Sequence, residues 1–111
     1  MVLCALASLG GFELIGVSCV YGDVELRGKI ALSYLGGSGP VYLGESEPLS
    51  GLAPWYSGLE GSLLGDLSGY RAVDGGVDFL IAKSLEFPGS LEILAIGPLT
   101  NIATAIIRVA V

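Results

Sequence analysis

Histidine is absent from all 111 residues, which removes the usual general base, the usual zinc ligand and every Ser-His or Cys-His nucleophile pair. Positive charge is scarce: 5 Lys and Arg stand against 11 Asp and Glu, giving a formal net charge of -6 and a pI near 4.3. No basic patch is available to neutralise phosphates, so nucleic acid is not an expected partner. The two cysteines, Cys4 and Cys19, lie in apolar runs at a spacing that suits neither a metal clip nor a redox pair. Both are expected to be buried thiols, without a disulfide, in a reducing compartment, the cytoplasm. Long hydrophobic runs are missing too. The uncharged stretches Met1 to Phe12 and Ile93 to Ile107 fall short of the roughly 18 residues of a spanning helix and contain Gly or Pro, so no membrane partner is expected. The opening MVLCALASLGG has the apolar character of a leader but no positively charged side chain, and reads as a helix ended by Gly10 and Gly11.

Apolar residues make up 52% of the chain, charged residues only 14%, and there are 18 glycines, a balance typical of buried parallel strands joined by tight turns. The mean hydropathy of +0.75 is high for a free-standing domain, so part of the surface is expected to be covered. The length fits one small domain, residues 1–111, and neither a repeat nor a linker divides it.

The stretch around which the rest is organised is Leu91 to Ala105, LEILAIGPLTNIATA. Leu91 to Ile96 has strand length and composition, Gly97 is a pivot, and Pro98 stands where a helix can begin. Strand, tight turn and helix in this order put the Ile96 carbonyl at a strand's carboxyl end beside Thr100 and Asn101, where open α/β sheets bind ligands. The same turn can also serve only to reverse the chain.

Upstream, Leu3 to Ser8 reads as the end of a helix and Phe12 to Val20 as a buried strand. Leu26, Ile30 and Tyr34, with Ala31 and Leu35 alongside, recur at helical spacing from Val24, and Gly36 and Gly37 close that helix. Pro40 to Leu43 is a short strand. Gly44 to Gly76 is rich in Gly, Ser and Pro, has no sustained period beyond the apolar cluster at Pro54, Trp55 and Tyr56, and reads as a long loop on the active-site side. Asp74 is a candidate cap for a helix in which Val77, Leu80, Ile81 and Leu85 share a face, stopped by Pro88 and Gly89. The order β-α-β, loop, α-β-α predicts an α/β fold with a mostly parallel sheet flanked by helices.

Asp23 falls just past the first strand, in the layer of the Ile96 carbonyl if both strands share one sheet; it can grip sugar hydroxyls or a metal, and it can equally cap the helix from Val24. Glu60, between glycines in the long loop, reads as solvated, and Asp66, Asp74 and Asp78 as surface or capping groups. Gly36-Gly37-Ser38-Gly39 follows a helix rather than opening one, so it is not a phosphate cradle.

Taken in order, Phe12 to Val24 (FELIGVSCVYGDV), Pro40 to Leu49 (PVYLGESEPL) and Val77 to Ile106 (VDFLIAKSLEFPGSLEILAIGPLTNIATAI) resemble the inosine-uridine preferring nucleoside hydrolase family. The resemblance implies a partial nucleoside hydrolase (Rossmann-like) fold. It also implies N-glycosidic cleavage of ribonucleosides to base and ribose, with a bound Ca²⁺ orienting a water and the sugar hydroxyls. Complete members are implied to form homo-oligomers. Carried over by position, the backbone carbonyl of Ile96 is implied as a main-chain Ca²⁺ ligand and Asp23 as a ribose contact. Asn101 is implied as a substrate-site residue on the pocket floor. The family's DxDxGxDD cluster, with its Ca²⁺ carboxylates and general base, and its later Asp, Glu and Asn residues have no counterpart in this text, and Leu59 stands where many members carry histidine. The expectation is therefore a chain with no catalytic residue of its own, in which Ca²⁺ is doubtful and which is inactive alone. A non-catalytic nucleoside-binding or subunit-pairing remnant is the alternative. A third reading, an unrelated αβ domain, requires Asp23 and Ile96 at opposite ends of the sheet.

Overall fold

The computed structural model describes residues 12–55 and 58–110; the readings of Cys4, of the helix ending at Ser8 and of Tyr56 lie outside them. Three short strands form one parallel sheet in the order β1 (Val17–Cys19), β2 (Val41–Leu43), β3 (Val73–Asp74). Val17 lies opposite Val41 and Cys19 opposite Leu43, while Tyr42 pairs with Val73 on the other edge of β2. Helix α1 (Val24–Tyr34) joins β1 to β2, and α2 (Gly76–Glu86) and α3 (Thr100–Ala110) follow β3. The fold is α/β, as the sequence predicts.

Side-chain alternation along β2 sets the layers. Val41 turns to one face, where it packs with Cys19, Ala31 and Leu32 as the buried centre of the molecule. Tyr42 turns to the other, where its ring stacks on Phe79 of α2 with centroids 4.2 Å apart. The face that α1 buries is rotated from the expected stripe: Gly28, Ala31 and Leu32 are buried, whereas Tyr34 is 53% exposed. Gly28 decides this, because a Cβ there would fall 2.7 Å from Ala72 Cβ and 3.1 Å from Leu43, so the helix backbone lies against the sheet where only glycine fits.

Five expectations are corrected. The first strand spans Val17–Cys19 rather than Phe12 to Val20, because β2 offers a three-residue ladder and nothing among the described residues pairs with the earlier part. Leu91 to Ile96 forms no strand: it has no ladder partner among the described residues, and Ile93, Leu94 and Ile96 are exposed. Apolar β-branched composition becomes a strand only where pairing and burial are supplied. The long loop is interrupted by β3, which uses Asp74 as a strand residue. The cap of α2 is therefore Gly75, in the left-handed region at φ 95°, with no side-chain bond. Helix α3 begins at Thr100, not Pro98, with the Leu99 carbonyl accepting from Ala103 N–H at 2.9 Å.

No helix among the described residues is long and apolar enough to cross a membrane.

Candidate functional site

The carboxyl end of β1 is built by an unusual turn. Tyr21 (φ 70°) and Gly22 (φ 74°) both adopt the left-handed conformation, and Tyr21 is the sole non-glycine residue with positive φ among those described. Such a conformation costs about 1–2 kcal/mol for a residue with a side chain, so it persists only where neighbours fix it. Tyr21 N–H donates to the Glu45 carbonyl and Gly22 N–H to the Ser46 carbonyl, each at 2.8 Å, and the Tyr21 hydroxyl accepts from Trp55 N–H at 2.9 Å. The turn delivers Asp23 to the head of α1, where its Oδ1 accepts from Leu26 N–H at 3.0 Å. Asp23 thus caps the helix and remains exposed at the rim.

The Ile96–Gly97 turn reaches the same end of the sheet: a Cβ on Gly97 would lie 3.4 Å from Val20 Cγ1, one residue beyond β1. Asp23 and the Ile96 backbone are therefore not at opposite ends of the sheet, which removes the observation that the unrelated-domain reading required. Ile96 itself is 81% exposed, and any ligand role rests on its carbonyl alone.

Asn101, in the first turn of α3, is buried. Its Nδ2 donates to Ser18 Oγ at 2.7 Å and to the Cys19 carbonyl at 2.9 Å, and its Oδ1 accepts from Glu45 N–H at 2.7 Å. Gly44 makes room for it, since a Cβ at that position would overlap the Asn101 amide and crowd the Cys19 carbonyl. Sequence reasoning passed over Ser18, Tyr21, Gly44 and Glu45. The available signal was the Tyr-Gly-Asp and Gly-Glu-Ser runs directly after the two strands, where chain reversals need glycine and polar partners.

Beside this rim, a cavity of about 150 Å³ is lined by Gly44, Glu45, Gly75, Gly76, Asp78 and Arg108. Asp78 is a surface group as expected, and Arg108 pairs with it at 2.9 Å and with Glu45 at 3.7 Å. Glu60 is not simply solvated: its Oε1 lies 3.8 Å from Arg27 and its side chain is three-quarters covered. Asp66 is a surface group as expected, held below the usual carboxylate range by the Ser68 backbone N–H.

Cys19 is buried at the end of β1, and loss of hydration pushes its thiol up to about 11, against a smaller opposing pull from Arg27. The unfolded thiol titrates near 9.0, so the folded state holds its proton more tightly between those values. Stability is accordingly expected to be unaffected by this group below pH 9 and to fall as pH rises from about 9 to 11. In a Cys4→Ser background, a thiol reagent at pH 8 should label native Cys19 far more slowly than the urea-unfolded chain. Equal rates would contradict the burial.

Calcium takes about six to eight oxygen ligands. Among the described residues no group of three or more His, Cys, Asp or Glu side chains can hold a metal ion, and one Asp23 oxygen is already engaged with Leu26 N–H. The described residues do not by themselves fit a calcium site.

A family model described as inosine-uridine preferring nucleoside hydrolase matches residues 1–109. The chain is 37% identical to Uridine nucleosidase 1 of Arabidopsis thaliana, over 86% of this chain and 32% of that protein. It is 33% identical to Probable uridine nucleosidase 1 of Oryza sativa subsp. japonica, over 86% of this chain and 34% of that protein. The chain spans about a third of the length of the curated relatives it matches, and no solved structure matches it. Covered from residue 1 to 109 by a single family model, the chain belongs to the inosine-uridine preferring nucleoside hydrolase family.

Proposed function

We propose that this chain supplies the ribose-binding rim of a nucleoside hydrolase and does not cleave the N-glycosidic bond by itself. The observation that carries the reading is that Asp23, the Ile96–Gly97 turn and Asn101 all stand at the carboxyl end of β1. A carboxylate at such a rim accepts hydrogen bonds from vicinal sugar hydroxyls, and charge-assisted bonds of this kind outweigh neutral ones. Asn101 belongs to the floor beneath. The Ile96 carbonyl is a single oxygen donor toward a cation, and any Ca²⁺ site would need further carboxylates beyond those described. Support for this part of the reading is that the chain has no histidine and that its described residues include no group of three or more His, Cys, Asp or Glu that could hold a metal ion.

Calorimetry with uridine tests this. Asp23→Ala is expected to weaken binding by about ten- to a hundredfold, the worth of a hydrogen bond to a charged group. Asp23→Asn, which preserves the helix cap, should still weaken it, separating the ligand contact from the roughly 1 kcal/mol of capping. Incubation with Ca²⁺ and uridine should release no ribose. Unchanged affinity in both variants, or sustained ribose release, would overturn the reading.

A second reading, association with another subunit, is favoured by the exposure of Leu94, Ile96, Leu99, Ile106, Ile107 and Val109. It predicts concentration-dependent sedimentation.

A further inference from the structure

We propose that Asn101 is a positioning residue whose buried amide, acting through Glu45 and Ser46, holds the Tyr21–Gly22 turn and so aims Asp23. This rests on the ribose reading only for what Asp23 meets; the mechanical part stands on the fold alone.

A primary amide has two N–H donors, and both of those on Asn101 are used inside the protein, one on Ser18 Oγ and one on the Cys19 carbonyl. The flip state is forced, because the Glu45 N–H must face oxygen and the Cys19 carbonyl must face nitrogen. At 5% exposure Asn101 retains no donor for a sugar, so its influence on a ligand must be transmitted rather than direct. The route is short. Asn101 fixes Glu45 by its N–H, the Glu45 carbonyl receives Tyr21 N–H, and the next carbonyl, Ser46, receives Gly22 N–H. Those two bonds grip the consecutive left-handed residues whose conformation sets the direction in which Asp23 leaves the sheet. Arg108 steadies the same hub from the side, at 3.7 Å from the Glu45 carboxylate. Without the Asn101 amide, Glu45 loses its tie to α3 and residues 44–46 are left tied to β1 by the single backbone bond from Gly44 N–H to the Cys19 carbonyl at 3.0 Å, so the left-handed tyrosine is held less firmly and relaxes toward the ordinary regions of backbone space.

Amide hydrogen exchange on the full chain is the test, with Asn101→Ser and Asn101→Ala, both of which remove the amide oxygen that receives Glu45 N–H, as independent variants in case one fails to fold. The amides of Tyr21 and Gly22 are expected to exchange about tenfold faster in either variant, the loss of one hydrogen bond's worth of protection. Amides inside α1, such as Ile30 and Ala31, should keep their native rates. Native exchange at Tyr21 and Gly22, or an equal rise inside α1, would overturn the positioning role. Uridine affinity supplies the second arm: Asn101→Ser and Asp23→Ala should each weaken binding, and the double variant should bind no more weakly than Asp23→Ala alone. Additive losses would mean that Asn101 acts independently of Asp23 and would overturn the proposal. If the native chain binds no uridine, the ribose reading fails and the aim at a ribose fails with it, while the exchange result still decides whether Asn101 holds the turn.

Discussion

Gly44→Ala is expected to cost this protein at least about 3 kcal/mol, enough to leave much of it unfolded, because a small domain has only about 5–15 kcal/mol to lose. The added methyl has nowhere to go. It overlaps both polar atoms of the Asn101 amide and presses on the Cys19 carbonyl, and these groups are bonded to one another and to Glu45. Overpacking a filled site costs about 1–3 kcal/mol, and each buried polar group left without its partner costs about 1–3 kcal/mol more. Gly69→Ala is the matched control: its Cβ would enter open space and its φ is not in the left-handed region, so urea midpoints should be unchanged or slightly raised. Equal midpoints for the two variants would mean that the Asn101 clamp is not closed in solution.

Leu32→Ala should be nearly as damaging, at about 2–5 kcal/mol. The buried centre contains only Cys19, Ala31, Leu32 and Val41 among the described residues, and Leu32, 3% exposed, contributes the largest side chain that α1 sets into it. A cavity there cannot be refilled by α1 sinking further, because Gly28 already brings its backbone against Ala72 and Leu43. Asp23 heads the same helix, so loosening α1 also loosens the rim. Leu63→Ala, at a position 97% exposed, should move stability by no more than about 0.5 kcal/mol. Similar urea midpoints for the two leucine variants would place the core elsewhere.

Much of the fold is legible in the chain, and the limits have physical causes. Helix α1 announces itself by apolar spacing and by Gly36-Gly37, which take positive φ at its end. The face it buries does not, because periodicity reports the width of an apolar stripe and not the close approach that Gly28 permits. A two-residue strand such as Val73–Asp74 has no period to detect, and it becomes a strand only because β2 offers it an edge. Leu91 to Ile96 shows the converse, with strong strand composition and no partner among the described residues. At the site, Asp23 and Asn101 stand out by their places after a strand and a Gly-Pro turn. What Asn101 does there was beyond reading, since its partners Glu45, Cys19 and Ser18 lie 56, 82 and 83 residues away along the chain.

The central claim is that the carboxyl end of β1 forms a ribose-binding rim, and the most direct measurement is a ribose titration followed by amide chemical shifts on the full chain. Shifts concentrated at Asp23, Glu45, Ser46 and Gly97 are the predicted result. Shifts confined to the apolar groove of about 260 Å³ between α1 and the long loop, at Ile30, Leu59, Leu63 and Leu64, or no saturable shifts at all, would contradict it.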